Sequence, residues 1–205
     1  EEGYELALVG GPVRDLLLHR RSHDLDLCTS ARPEQFEPIL RRWGHDGFWD
    51  MGRKFGTLGA MRRRPNGTEV QVEITTYRSD EYDPDSRKPE VSYGDSLEGD
   101  LSRRDFTVNA MALRVPDLEF VDPFGGANDL SKRVLRTPVD PRQSFDDDPL
   151  RMMRAVRFVA QLGFGIEPET AEAICTMADR LGIVSAARVR DEPVKLLLSD
   201  RPRAG

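Results

Sequence analysis

Cysteine is nearly absent from the 205 residues: Cys28 and Cys175 stand far apart, with no CxxC spacing. Neither a disulfide framework nor a thiolate zinc site is expected, and a reducing cytoplasm is the expected compartment. No apolar run approaches the ~20 residues of a membrane-spanning helix, so a soluble chain with no membrane partner is expected. A basic leader ahead of an apolar segment is also missing after Glu1-Glu2, so no export signal is expected in the residues shown, which read as a piece trimmed at both ends. Net positive charge is lacking too: the balance is −6 and the pI about 5.2, so a nucleic-acid partner would have to meet a local basic face. Lysine is scarce, with Lys54, Lys88, Lys132 and Lys195 the only ones among 30 basic residues, so any anion recognition falls to particular arginines. His19, His23 and His45 have no metal-ligand spacing. Met111, Met152 and Met153 read as core filling, and nothing near Cys28 argues for a reactive thiol.

What is present divides into two patterns. Up to about Val139, short apolar runs alternate with turns, at Glu5–Val9, Asp24–Leu27, Gly56–Ala60, Val70–Thr76 and Thr107–Val115, and these predict strands of one sheet. The stretches after Pro12 and from Pro33 to Trp43 predict helices packed on it. Beyond Asp147 the period turns helical, predicting helices over Leu150–Leu162, Glu167–Leu181 and Ala186–Leu198. The expectation is an α+β chain: a mixed sheet with flanking helices over residues 1–140, then an all-α domain over 141–205 that the chain barely completes. Ser79–Ser96, charged and carrying Pro84, Pro89 and Gly94, reads as a long surface loop.

Several segments carry groups that suit phosphate chemistry. Gly10-Gly11-Pro12-Val13-Arg14 links an apolar strand to a helix, where backbone N–H groups and Arg14 can hold phosphate oxygens; a tight turn needing small residues is the plain alternative. In Asp24-Leu25-Asp26-Leu27 the alternation puts both carboxylates on one strand face. Like charges side by side are unfavourable unless a cation lies between them, and Mg²⁺ binds through one or two carboxylates plus substrate phosphates. The pair therefore suggests metal-assisted phosphoryl or nucleotidyl transfer, against a merely solvated strand face. Glu73, alternating with Val72 and Ile74, offers a third carboxylate, and Asp105 competes for that role. Arg103 and Arg104, ahead of an apolar run, are placed to reach a triphosphate or a sugar, or to form surface ion pairs. On the helix after Pro149, Arg151, Arg154 and Arg157 share a flank opposite Met152, Ala155, Val156, Val159 and Ala160. Asp148 with Arg151 sets an acceptor beside a forked donor, a combination able to read the Watson–Crick edge of a base, although Asp148 also suits an N-cap.

Taken together the sequence resembles the bacterial tRNA nucleotidyltransferase and poly(A) polymerase family, the class II nucleotidyltransferases, within the superfamily that includes DNA polymerase beta. The matching segments, in order over almost the whole chain, are Leu8 to Asp15, Asp24-Leu25-Asp26, Arg103-Arg104-Asp105-Phe106-Thr107-Val108-Asn109-Ala110-Met111, Asp122-Pro123-Phe124-Gly125-Gly126, and Asp148-Pro149-Leu150-Arg151 with Arg154 and Arg157. The resemblance implies a palm-like nucleotidyltransferase head followed by a helical neck. It implies Mg²⁺ on Asp24 and Asp26, triphosphate at Gly10, Gly11 and Arg14, nucleotide at Arg104, the base at Asp148 and Arg151, and Arg154 and Arg157 completing the pocket. The implied substrates are CTP, ATP and the 3′ end of tRNA, joined with release of pyrophosphate by a two-metal mechanism.

Two positions depart from the family pattern. Asp147 stands where many members have Glu, and Pro12 where a small residue is usual; the first change bears on preference between C and A. Members also continue into further helices that grip tRNA, so this chain is expected to hold RNA poorly. The leading expectation is template-independent addition of CMP and AMP to complete the CCA terminus in the cytoplasm. Poly(A) addition and CC-only or A-only addition share the same motifs. Small-molecule nucleotidyl transfer leaves Asp148 and Arg151 unexplained, and a binding module inactive as this fragment is the non-enzymatic alternative. The oligomeric state is left open.

Overall fold

Alternating apolar residues make β1 (Leu6–Val9), β2 (Asp24–Thr29), β4 (Thr57–Arg63) and β5 (Glu69–Thr76), and α1 (Gly11–Leu17) and α2 (Pro33–Trp43) punctuate them, each with a proline in its first turn. The computed structural model describes residues 3–20, 22, 24–79, 92–94, 96–199 and 201–204. The chain divides into two compact units, Glu1–Ser102 with Met111–Pro123, and Arg103–Ala110 with Phe124–Gly205. Residues 103–110 and 124–140 group with the second of these compact units.

The first unit is built on a seven-stranded sheet, completed by β3 (Gly47–Trp49), β8 (Ala112–Arg114) and β9 (Glu119–Val121), in the order β3-β4-β5-β2-β1-β8-β9. Only β2 and β5 run parallel among these neighbours, with Asp24 beside Gln71, Asp26 beside Glu73 and Leu27 beside Ile74. Helix α2 buries Phe36 and Leu40 against Leu58 and Ala60 of β4, with Trp43, Phe48 and Ile74 packed around them. That face is dry, so the alternate residues of the same strands are left on the other face. The mixed sheet agrees with the expected fold class. The edge strands β3 and β9 escaped the sequence reading because three residues carry too little alternation.

The Ser79–Ser96 loop expectation falls largely on residues 80–91 and 95, outside the described residues. Its ends form a small ribbon, β6 (Arg78–Ser79) with β7 (Ser92–Tyr93), followed by α3 (Leu97–Ser102).

The second unit is helical. It starts from α4 (Gly126–Lys132), with β10 (Val134–Leu135) and β11 (Gly165–Ile166) forming a short parallel pair. Helix α5 (Pro141–Asp147) is capped by Asp140, whose Oδ1 accepts from the N–H groups of Arg142 and Gln143 at 2.9 and 3.1 Å. Helices α6 (Leu150–Leu162), α7 (Pro168–Met177, continuing as a 3-10 helix over Ala178–Ile183) and α8 (Ala186–Leu197) fall where the periodicity predicted three helices. Phe145, Met152 and Ala173 form the core of α5, α6 and α7. Helix α5 was not legible in the sequence, since Phe145 is its one large apolar residue. The strand expected over Thr107–Val115 is confined to β8; Thr107–Asn109 form a 3-10 turn instead. Local bonds explain the change: the Thr107 N–H donates to the Arg136 carbonyl at 2.8 Å and its hydroxyl to Asp129 at 2.7 Å, while Asn109 Nδ2 donates to Asp105 at 2.9 Å.

Candidate active site

The acidic face belongs to the sheet. Asp24 and Asp26 project from β2 on one side and both are exposed, while Leu25 and Leu27 project to the other. The parallel register sets Glu73 of β5, also exposed, directly beside Asp26. Beyond Glu73 the row runs across β4 at Gly59 to Trp49 of β3, and the Trp49 indole N–H donates to Glu73 Oε1 at 3.2 Å. Asp24 and Asp26 fit a hard cation that shares its shell with phosphate oxygens. Among the described residues no group of three His, Cys, Asp or Glu side chains is placed to hold a metal ion.

The glycine turn lies in the same unit. Gly10 has φ 74° and ψ −137°, a conformation that side-chain-bearing residues avoid, and the Arg14 N–H bonds back to its carbonyl at 3.1 Å. Arg14 is buried to 9% exposure, and its Nε donates to Asp15 at 2.9 Å. A side chain added at Gly11 would begin 3.6 Å from Arg14 Nη2, so the guanidinium lies over this turn.

The remaining predicted residues belong to the helical unit. Asp105 is buried, and its carboxylate accepts from the Phe106 N–H at 2.8 Å, Asn109 Nδ2 at 2.9 Å and Arg154 Nε at 2.8 Å. Burial opposes its charge, but the Arg154 guanidinium and the hydrogen bonds from Asn109, Arg154 and Phe106 outweigh burial and hold the carboxyl below its ordinary value. Burial likewise works against the charge on Arg154, and Asp105 overcomes it, so the pair stays ionised. Arg157 is buried against the equally buried Glu192 of α8, and its Nη1 donates to Gln161 at 2.6 Å. The structure thus ties Asp105, Arg154 and Arg157 into packing contacts.

Asp148 and Arg151, half-buried, lie one turn apart at the start of α6. Asp148 Oδ1 accepts from the Leu150 N–H at 3.2 Å, as a helix cap does, and Oδ2 accepts from Arg188 of α8 at 3.0 Å. Arg151 Nη1 donates to the Ser144 hydroxyl at 2.7 Å and Nη2 to the Arg103 carbonyl at 2.6 Å. That second bond anchors the residue preceding half-buried Arg104. Sequence reading missed Ser144, Arg188, Glu192 and Trp49. A signal existed for Trp49 alone, because a glycine inside an apolar strand, here Gly59, marks the close approach of another group.

The mixed sheet with an open acidic row on one face and helices on the other defines a domain of nucleotidyltransferase fold. The chain belongs to the Poly A polymerase head domain family, which it matches over residues 6–136, and residues 163–205 match the family described as a probable RNA and SrmB-binding site of polymerase A. It is 43% identical to a CCA-adding enzyme of Lactobacillus johnsonii over 197 residues, 96% of this chain and 47% of that protein. With a CCA-adding enzyme of Streptococcus pneumoniae serotype 19F it is 44% identical over 206 residues, covering 100% of this chain and 49% of that one. Among solved structures, the Bacillus stearothermophilus CCA-adding enzyme in complex with CTP superimposes with a TM-score of 0.83 at 39% identity, over 97% of this chain and 45% of that one. The Thermotoga maritima CCA-adding enzyme complexed with tRNA gives a TM-score of 0.78 at 30% identity, over 97% and 44%. The chain therefore spans about half the length of the relatives it matches.

Proposed function

We propose that the protein carrying this chain completes the CCA terminus of tRNA, adding CMP and AMP from CTP and ATP in the cytoplasm. In this reading residues 1–140 serve as the catalytic head and 141–205 as the base-recognising neck. The observation that supports it most is the exposed Asp24 and Asp26 pair with Glu73 in register beside it. Relatives whose names state CCA addition point the same way.

Asp24 and Asp26 would hold Mg²⁺, which when bound supplies charge neutralisation at the triphosphate and a lowered pKa at the RNA 3′-hydroxyl. The Gly10-Gly11 turn and Arg14 take the triphosphate oxygens, and Arg104 takes the nucleotide. Glu73, open and next to Asp26, is a better third carboxylate than Asp105, whose oxygens already accept from Phe106, Asn109 and Arg154. Asp148 and Arg151 present an acceptor and a donor to the base edge, so protein side chains stand where a template would. Arg154 and Arg157 serve that pocket from behind, through Asp105 and Glu192. Catalysis on this account is positioning together with charge neutralisation.

The test is extension of tRNAs ending before the CCA terminus, after its first C and after its second C, with Mg²⁺ and CTP, ATP or both, followed by sequencing. Addition of CC and then one A supports the proposal. Long A runs from ATP alone move the assignment to poly(A) addition, and silence from the whole protein sinks it.

A further inference from the structure

The row that carries the acidic face ends in one aromatic residue, Trp49. Trp49, Gly59, Glu73 and Asp26 are successive register partners across β3, β4, β5 and β2, and directly paired residues project to the same face. Gly59 is buried and leaves a gap in that row. A Cβ built at Gly59 would lie 2.1 Å from Trp49 Cε2 and Nε1, so the indole occupies the place that any side chain there would take. Spanning the bare strand, it brings its N–H to Glu73 Oε1 at 3.2 Å. An exposed glutamate otherwise samples many rotamers; this one has its Oε1 tied to a planar donor that is itself wedged, which limits the positions its carboxylate takes next to Asp26.

We propose that Trp49 is a positioning residue for Glu73, and that Gly59 exists as glycine so that the indole can reach it. Trp49 fixes the Glu73 carboxylate beside Asp26 and thereby raises the affinity of the Asp24 and Asp26 face for a divalent cation. Outer partners that orient a metal-site carboxylate commonly change metal affinity by 10–100-fold, and the half-exposed setting of Trp49 places the expectation near the low end, about tenfold. The inference rests on Glu73 acting at the acidic face.

The experiment is a titration of the whole protein with Mn²⁺ alone, reading free Mn²⁺ by its electron paramagnetic resonance signal, on the wild type, Glu73→Gln, Trp49→Phe, Gly59→Ala and the Trp49→Phe/Glu73→Gln double variant. Trp49→Phe keeps most of the ring and removes the donor, whereas Gly59→Ala keeps the donor and displaces it. Both are expected to weaken Mn²⁺ binding by about tenfold, and Trp49→Phe to add nothing once Glu73 is Gln. Thermal melting of each variant identifies any that misfolds, and either of the two single variants suffices. If Glu73→Gln weakens binding but folded Trp49→Phe and Gly59→Ala bind as the wild type does, the positioning role is overturned while Glu73 keeps its place. If Glu73→Gln itself leaves binding unchanged, the reading of Glu73 falls and takes this inference with it. A loss from Trp49→Phe that persists in full on the Glu73→Gln background also overturns it, since Trp49 would then act by another route.

Discussion

Each unit holds a distinctive set of acidic residues, and the two sets lie in opposite settings. In the sheet unit Asp24, Asp26 and Glu73 stand exposed on one face, two of them on a single strand. In the helical unit Asp105, Asp129 and Glu192 are buried, and each is matched to an arginine: Arg154, Arg136 and Arg157. A buried carboxylate without such a partner would cost several kcal/mol or neutralise itself, so the helical unit uses its acids as joints. The joints connect segments distant in sequence, Asp105 to α6 and Glu192 to Arg157, which is how a small set of helices with a modest apolar core is fixed. The mutual repulsion of the exposed acids is unfavourable, and on the proposed function a cation received at their face offsets it.

This contrast can be broken most severely at β2. Asp26→Asn removes one of the two carboxylates proposed to hold the cation and is expected to lower nucleotide addition by about 10³-fold or more, measured by extension of tRNA lacking its CCA terminus. Retained addition would mean that the open face is not where the reaction takes place.

At the closed acids the expected loss is of stability. Asp105→Asn leaves the half-buried Arg154 guanidinium without its carboxylate and should cost about 1–3 kcal/mol in urea unfolding. The same contact has a pH signature. The folded pKa of Asp105 lies below its unfolded value near 3.8, so its stabilising contribution is complete above that value and is lost as pH falls through the lower, folded one. Wild type should therefore lose stability on acidification below about pH 4 more steeply than Asp105→Asn does.

A smaller effect is expected at the hinge between the two roles. Asp148 accepts from the Leu150 N–H with Oδ1 and from Arg188 with Oδ2, and Asp148→Asn, which keeps an oxygen for the Leu150 N–H, should disturb selection more than folding. The ratio of CTP to ATP incorporation is expected to change by about 10- to 100-fold, the worth of a hydrogen bond to a charged group, with little change in the unfolding midpoint. Smallest of all is Arg188→Ala. Its ion pair with Asp148 is exposed, so a stability change under about 1 kcal/mol is expected from thermal melting.

The contrast also explains how much was legible beforehand. The Asp24 and Asp26 pair and the three helices after Pro149 follow from period 2 and period 3.6, which are local properties, and the sequence shows them directly. The seven-residue α5 and the three-residue edge strands are too short to show a period. Thr107–Asn109 has strand-like composition, but its fate was decided by Asp129 and Arg136, more than twenty residues away. For the same reason the arginines on α6 looked alike in sequence, at positions i, i+3 and i+6 of one flank. Only the partners tell them apart: a serine and a carbonyl for Arg151, buried Asp105 for Arg154, and buried Glu192 for Arg157. Trp49 was hidden because its role depends on the register of three strands.

The most direct test is a crossed measurement of urea unfolding and tRNA extension on the same preparations of wild type, Asp26→Asn and Asp105→Asn. The account predicts that Asp26→Asn unfolds within about 1 kcal/mol of the wild type yet adds no nucleotide, whereas Asp105→Asn shows the stability loss. It is contradicted if Asp26→Asn destabilises the fold as much as Asp105→Asn does, or if Asp26→Asn still extends tRNA at the wild-type rate.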